Sequence, residues 1–219
     1  MDYRILLAAP LAAVAMTASS ADALRQPANW YAGATWDWPG GQTHEGGVAP
    51  ETDVAAERAL TVRAIGSRKP RDIGTIGQLA AGYAGKRVRF SAQVKATGTD
   101  GWAGLVVGAG TMPLYLQPGL DDPQTPAPVG APACAQWCDV SVVADIPADS
   151  DGFAAVGLGL VGNGQVWARR FRLEVVGPDV PLTSHRFAAA QGAAARAEQQ
   201  AWLQQQAAKP TPPRNLSLD

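Results

Sequence analysis

The residues in this 219-residue chain whose type and spacing suggest chemistry are tryptophans and a close pair of cysteines. Trp36 and Trp38 stand two apart, so in an extended segment both rings lie on one side and offer a flat platform for the apolar face of a sugar ring. Trp30 and Tyr31 precede them, and Gln42, His44 and Glu45 of the polar run 42–45 follow, making these seven residues the candidate ligand site. The competing reading is that the tryptophans plug the end of a hydrophobic core. Trp102, Trp137 and Trp167 fall within strand-like patterns and read as core residues.

Cys134 and Cys138 enclose Ala135-Gln136-Trp137, a spacing open to a disulfide in an oxidising compartment or to two free thiols. Metal binding fits less well, because only His44 and His185 exist and neither has zinc-like spacing to the thiols. No metal or cofactor is expected. His44-Glu45 and Ser184-His185 are chain neighbours without a third partner, so no catalytic residue is assigned and no enzyme is expected. Gly157-Leu158-Gly159-Leu160-Val161-Gly162 matches G-x-G-x-x-G by letter. A hairpin turn and a strand follow it rather than a helix, so the glycines read as places of close packing instead of a dinucleotide loop.

The elements that must position these residues are strands. Only 17% of the chain is charged, and 24 Gly and 17 Pro favour a turn-rich β fold. From Lys86 to Ala96, Val88, Phe90, Ala92, Val94 and Ala96 fall on one side and charged or polar residues on the other. Further strands are expected over Trp102 to Val107, Met112 to Gln117, Cys138 to Ile146, Ala154 to Val161 and Gln165 to Val176. In the last of these Trp167, Phe171, Leu173 and Val175 are expected to point inward. Gly162-Asn163-Gly164 supplies a hairpin turn, and the four prolines between Leu120 and Pro132 mark a long loop. Thr75 to Tyr83 is expected to form one or two helical turns, and residues 24 to 55 loops and short strands. Arg87, Arg89, Arg170 and Arg172 take outward positions on two strands, either as a solubilising face or as a basic patch for an acidic saccharide or a protein.

The ends read differently. Ile5 to Met16 is apolar, follows Arg4 and precedes Ala21-Asp22-Ala23, the pattern of a secretory signal peptide cleaved after Ala23. Its loss takes Arg4, Asp2 and Asp22 from the 18 basic and 19 acidic residues and leaves the mature chain without net charge. Nucleic-acid binding is thereby disfavoured, and no other segment is apolar enough to span a membrane. Ala193 to Ala208 is an Ala/Gln-rich helical candidate, ended by Pro210.

Several stretches together resemble bacterial jelly-roll domains related to carbohydrate-binding modules and the galactose-binding-like fold. They are Tyr83-Ala84-Gly85-Lys86-Arg87-Val88-Arg89, Gly101-Trp102-Ala103-Gly104-Leu105, Trp137 before a Val-rich strand, and Gly164-Gln165-Val166-Trp167 before Phe171 to Gly177. The resemblance implies a sugar-binding ancestry. It also implies that Asn215 to Asp219 returns to the sheet edge, whereas Ala168-Arg169-Arg170 stands where such domains often carry acidic residues that support calcium.

The expected architecture is therefore all-β: a signal peptide over 1–23, an antiparallel jelly-roll β-sandwich over 24–183 and a helical or linker tail over 184–219. The expected role is a periplasmic or secreted non-catalytic module that binds carbohydrate or a cell-envelope component. The alternative is an envelope scaffold that docks a protein partner.

Overall fold

A computed structural model of the chain describes residues 24–34, 36–37, 41–50, 58–66, 72–108, 114–116, 134–148, 153–183, 185–187 and 213–218. The expected signal peptide, the proline-rich loop, Trp38 and the Ala/Gln-rich helix lie outside them.

The strands are β1 (Tyr31–Ala34), β2 (Trp36–Asp37), β3 (Gly41–Gln42), β4 (His44–Pro50), β5 (Arg58–Ala64), β6 (Ile73–Ala81), β7 (Arg87–Thr97), β8 (Ala103–Gly108), β9 (Leu114–Leu116), β10 (Cys138–Asp145), β11 (Phe153–Val161), β12 (Gln165–Val175) and β13 (His185–Phe187). They build a six-stranded sheet in the order β1-β6-β11-β8-β9-β13 and a five-stranded sheet in the order β10-β7-β12-β5-β4, every pairing antiparallel. The two sheets form a β-sandwich, with β2 and β3 as a separate short hairpin. Among the described residues there is no helix.

Strand β7 follows its alternation: Val88, Phe90, Ala92, Val94 and Ala96 are buried and the residues between them half-buried. They meet Leu60 and Val62 of β5, Val142 and Ala144 of β10, and Val156, Leu158 and Leu160 of β11 in one core. The helical turns expected over Thr75 to Tyr83 are instead part of β6, where Gly74, Ile76, Gln78 and Ala80 are buried in strict alternation. The run is too poor in large apolar residues for its period to be read by eye. Gly77 decides for the strand, because a Cβ there would meet the Val156 carbonyl oxygen at 2.8 Å. Gly157 faces Gly77 in the same way, and Gly159 lies beneath the Trp102 ring, where a Cβ would stand 2.9 Å from Cζ3. The G-x-G-x-x-G letters thus serve close packing within and above a sheet.

The ends of the described body meet. Leu218 is buried in the core, and Arg25 and Arg58 both donate hydrogen bonds to its carbonyl, at 3.3 and 3.1 Å. Residues 215–218 adopt a turn there rather than an edge strand, with Asn215 and Leu218 at positive φ.

Candidate functional site

The outer face of the five-stranded sheet carries an arrangement that the alternation of β12 did not reveal. Val166 and Ala168 point into the core, so Trp167 points out. The phase then shifts: Arg169 pairs with Gln93 and Arg172 with Ser91, leaving one extra residue on β12, a β-bulge with Arg170 at φ 56°. Beyond it Phe171 and Leu173 point inward as expected, whereas Val175 at the strand end is 55% exposed. The inward placement of Trp167 is corrected by the bulge, since a single inserted residue reverses the face of everything before it.

Trp137 is likewise half-buried on this face rather than in the core. Cys134 and Cys138 are joined in a disulfide, and the Ala96 amide donates to the Cys134 carbonyl at 2.9 Å, which holds the intervening loop against β7. Cys138 pairs with Val94, bringing Trp137 level with Lys95, itself opposite Trp167. The Lys95 ammonium lies between the two rings, 5.9 Å from the centre of Trp137 and 5.7 Å from that of Trp167. Arg169 sets its guanidinium 4.1 Å from the Trp137 ring centre and donates to Gln93 Oε1 at 3.0 Å.

Next to this cluster a groove of about 260 Å³ opens at the bulge. Ser91 and Gln93 form its floor, Asp139 stands on the β10 side, and Arg170 and Arg172 stand on the β12 side. The trough offers neutral hydrogen-bonding groups and cations, and the rings of Trp137 and Trp167 stand beside it around Lys95. Such a combination can hold a polar ligand that also has an apolar face.

The residues expected from sequence are dispersed. Trp30 is fully buried, its ring centre 5.2 Å from that of Phe171, and its Nε1 donates to the Asn215 carbonyl at 3.1 Å. His44 is also fully buried, with Nε2 2.8 Å from the Gly162 carbonyl oxygen and Nδ1 2.9 Å from Thr43 Oγ1. Neither has surface to offer a ligand, and both are corrected to core residues: the sandwich needs large side chains at this end, and each polar atom finds a partner inside it. Tyr31 is 47% exposed on β1, at an edge of the six-stranded sheet. Trp36 pairs with Gln42 across the β2–β3 hairpin. Glu45 belongs to the other sheet, in an ion pair with Arg63. The structure therefore pairs Trp36 with Gln42 and places Tyr31 and Glu45 on different sheets.

What sequence reading missed is the group Trp137, Trp167, Lys95 and Arg169, beside which stand Arg170 and Arg172 of the expected outward arginines. A signal was present: Arg169-Arg170 breaks the alternation of β12, and two charges in succession inside a half-buried strand call for a bulge.

Among the described residues no three His, Cys, Asp or Glu side chains converge as metal ligands, and no helix is long and apolar enough to cross a membrane.

No protein-family model matches the sequence, and no curated protein matches it. Solved structures do resemble the fold. A CBM4 structure is 13% identical with a TM-score of 0.41, covering 69% of this chain and 89% of that one. The CBM22-1–GH10 modules of a Clostridium thermocellum endo-1,4-β-D-xylanase, complexed with xylohexaose, are 12% identical with a TM-score of 0.42, covering 72% of this chain and 29% of that one. The enzymatically active domain of tailspike protein 4 from bacteriophage CBA120 is 12% identical with a TM-score of 0.42, covering 68% of this chain and 20% of that one. This chain thus spans less than a third of the latter two.

Proposed function

We propose that this protein is a secreted or periplasmic jelly-roll module that binds carbohydrate at the groove on its five-stranded sheet without acting on it. The observation that carries the reading is the pair Trp137 and Trp167 flanking Lys95 beside a floor of Ser91 and Gln93. Rings take the apolar face of a pyranose, and hydroxyl and amide groups take its edge. The groove has a single carboxylate, Asp139, among the described residues that line it, whereas glycoside hydrolysis ordinarily uses two. A disulfide beside the site accords with an oxidising compartment.

The β2–β3 hairpin, with Trp36 and Gln42, is the second site to test, together with Trp38, Tyr31 and Glu45 of the set expected from sequence. Titration of intrinsic tryptophan fluorescence with soluble glycans distinguishes the two. Trp137→Ala and Trp167→Ala are expected to abolish saturable binding with the melting temperature largely kept, and a Trp36→Ala/Trp38→Ala variant to retain it. Loss only in the latter variant moves the site to the hairpin. No binding by the unaltered protein across the panel turns the assignment toward a protein-docking scaffold.

A further inference from the structure

The groove differs from a plain sugar platform in its charge. We infer that its ligand is an acidic glycan, a uronate-bearing chain whose carboxylate is held by the Arg170 and Arg172 guanidinium groups while the adjoining sugar lies toward Trp137. This inference rests on the reading of the groove as a carbohydrate site.

Three observations carry it. First, the bulge sets Arg170 and Arg172 on one wall. Both are exposed and both line the groove, although the residue between them, Phe171, is buried in the core. Arg170 reaches this place through a φ of 56°, a left-handed conformation that is unfavourable for a residue with a Cβ and that Gly or Asn would adopt more easily. Strain of this kind, kept at an arginine, marks a position where the side chain matters.

Second, the local charge is positive although the whole chain is not. The chain has a net charge of -1, yet the groove wall carries two arginines against one aspartate, with Arg169 and Lys95 directly behind. Among the described residues, the other acidic side chains on strands of this sheet stand away from the groove, Glu45 in an ion pair with Arg63. Asp145 is paired with Arg87, and Glu174 lies opposite Arg89 in the register. A field confined to one trough suits the carboxylate of one or two sugar units rather than the extended phosphate backbone of nucleic acid.

Third, the neutral partners suit a sugar acid. A guanidinium takes a carboxylate through two parallel hydrogen bonds, and Ser91 and Gln93 between the walls can each both donate and accept toward ring hydroxyls.

The test uses polygalacturonate, alginate and hyaluronate as probes, each beside a form with its carboxyl groups methyl-esterified, with affinity measured by calorimetry at low salt. The expected result is that at least one acid polymer binds about tenfold or more tightly than its ester, the worth of one charge-assisted bidentate contact. Arg170→Gln and Arg172→Gln are each expected to remove most of that preference without a change in melting temperature. Lys86→Gln takes one positive charge from an exposed turn outside the groove and is expected to change affinity less than about twofold. Equal binding of acid and ester forms overturns the inference and leaves the carbohydrate reading standing. A Lys86 variant as weak as the arginine variants also overturns it, because the attraction is then diffuse. No binding of any polymer, acid or ester, overturns both.

Discussion

Arg169 lays its guanidinium across Trp137, 4.1 Å from the ring centre, while its Nε donates to Gln93 Oε1. The contact joins β12, β7 and the disulfide loop. Although Arg169 is only 7% exposed, its charge is met by a ring face and an amide, with further contacts around it. Arg169→Met keeps the stem and removes the charge. It is expected to cost about 1 kcal/mol in denaturant unfolding and to shift Trp137 emission, whereas an unchanged emission spectrum would show that the ring is held by other means.

The disulfide closes a loop with a sequence separation of 4. Even so short a ring restricts the unfolded chain, and a Cys134→Ser/Cys138→Ser variant is expected to lose about 2 kcal/mol. Glycan affinity should fall with it, because the loop that presents Trp137 is then held mainly by the amide of Ala96. Retained affinity in the doubly substituted protein would separate the disulfide from the site.

His44 closes one end of the sandwich over Gly74. A Cβ on Gly74 would lie 2.3 Å from His44 Cβ, a contact that backbone and ring cannot both keep. Gly74→Ala is expected to destabilise by about 1–3 kcal/mol through overpacking. In a His44→Ala background the same change should cost much less, and a double-mutant cycle measures the coupling directly.

Acid stability is expected to depend on two aspartates. The hydrogen bond from Arg87 holds the Asp145 carboxyl below its usual range against partial desolvation. At Asp100 burial pushes the pKa up, but hydrogen bonds from the Asn163 side chain and amide together outweigh it and the net shift is downward. A carboxylate with a lowered folded pKa contributes stability above its unfolded pKa, near 3.9 for aspartate, and loses it as the pH falls through the folded value. Melting curves between about pH 5 and pH 2 should therefore show a decline that Asp145→Asn and Asp100→Asn each flatten. Arg87→Ala should lower the melting temperature more than Asp145→Asn, because Arg87 also donates to the carbonyls of Pro178 and Val180.

The sequence makes legible what repeats with period two and carries large side chains. Val88 to Ala96 announces its inward face, and the hairpin Gly162-Asn163-Gly164 announces its turn. Strand β6 stays hidden because its inward positions are Gly74, Ile76, Gln78 and Ala80, of which only one is large and apolar. Strand β5 offered a signal that was not used, the run Ala59-Leu60-Thr61-Val62. The candidate site was harder still, because a tryptophan in a strand reads as core until the bulge is known, and one residue of register decides whether Trp167 points into the core or onto the outer face of the sheet. Proximity in sequence misled at Trp30 and His44, which share a neighbourhood with Trp36 but belong to the interior.

The junction of residues 213–218 with the start of the described body bears on how the sandwich is held together. The bond from Trp30 to Asn215 spans 185 positions, and Leu218 fills the same interior. Every strand of the two larger sheets lies between these two segments in the chain, so the sandwich is clasped by residues that flank it on both sides. The contact closes a loop across nearly the whole described body, and closure cost grows only slowly with length, so the two ends act as a clasp on one shared interior rather than as local decoration.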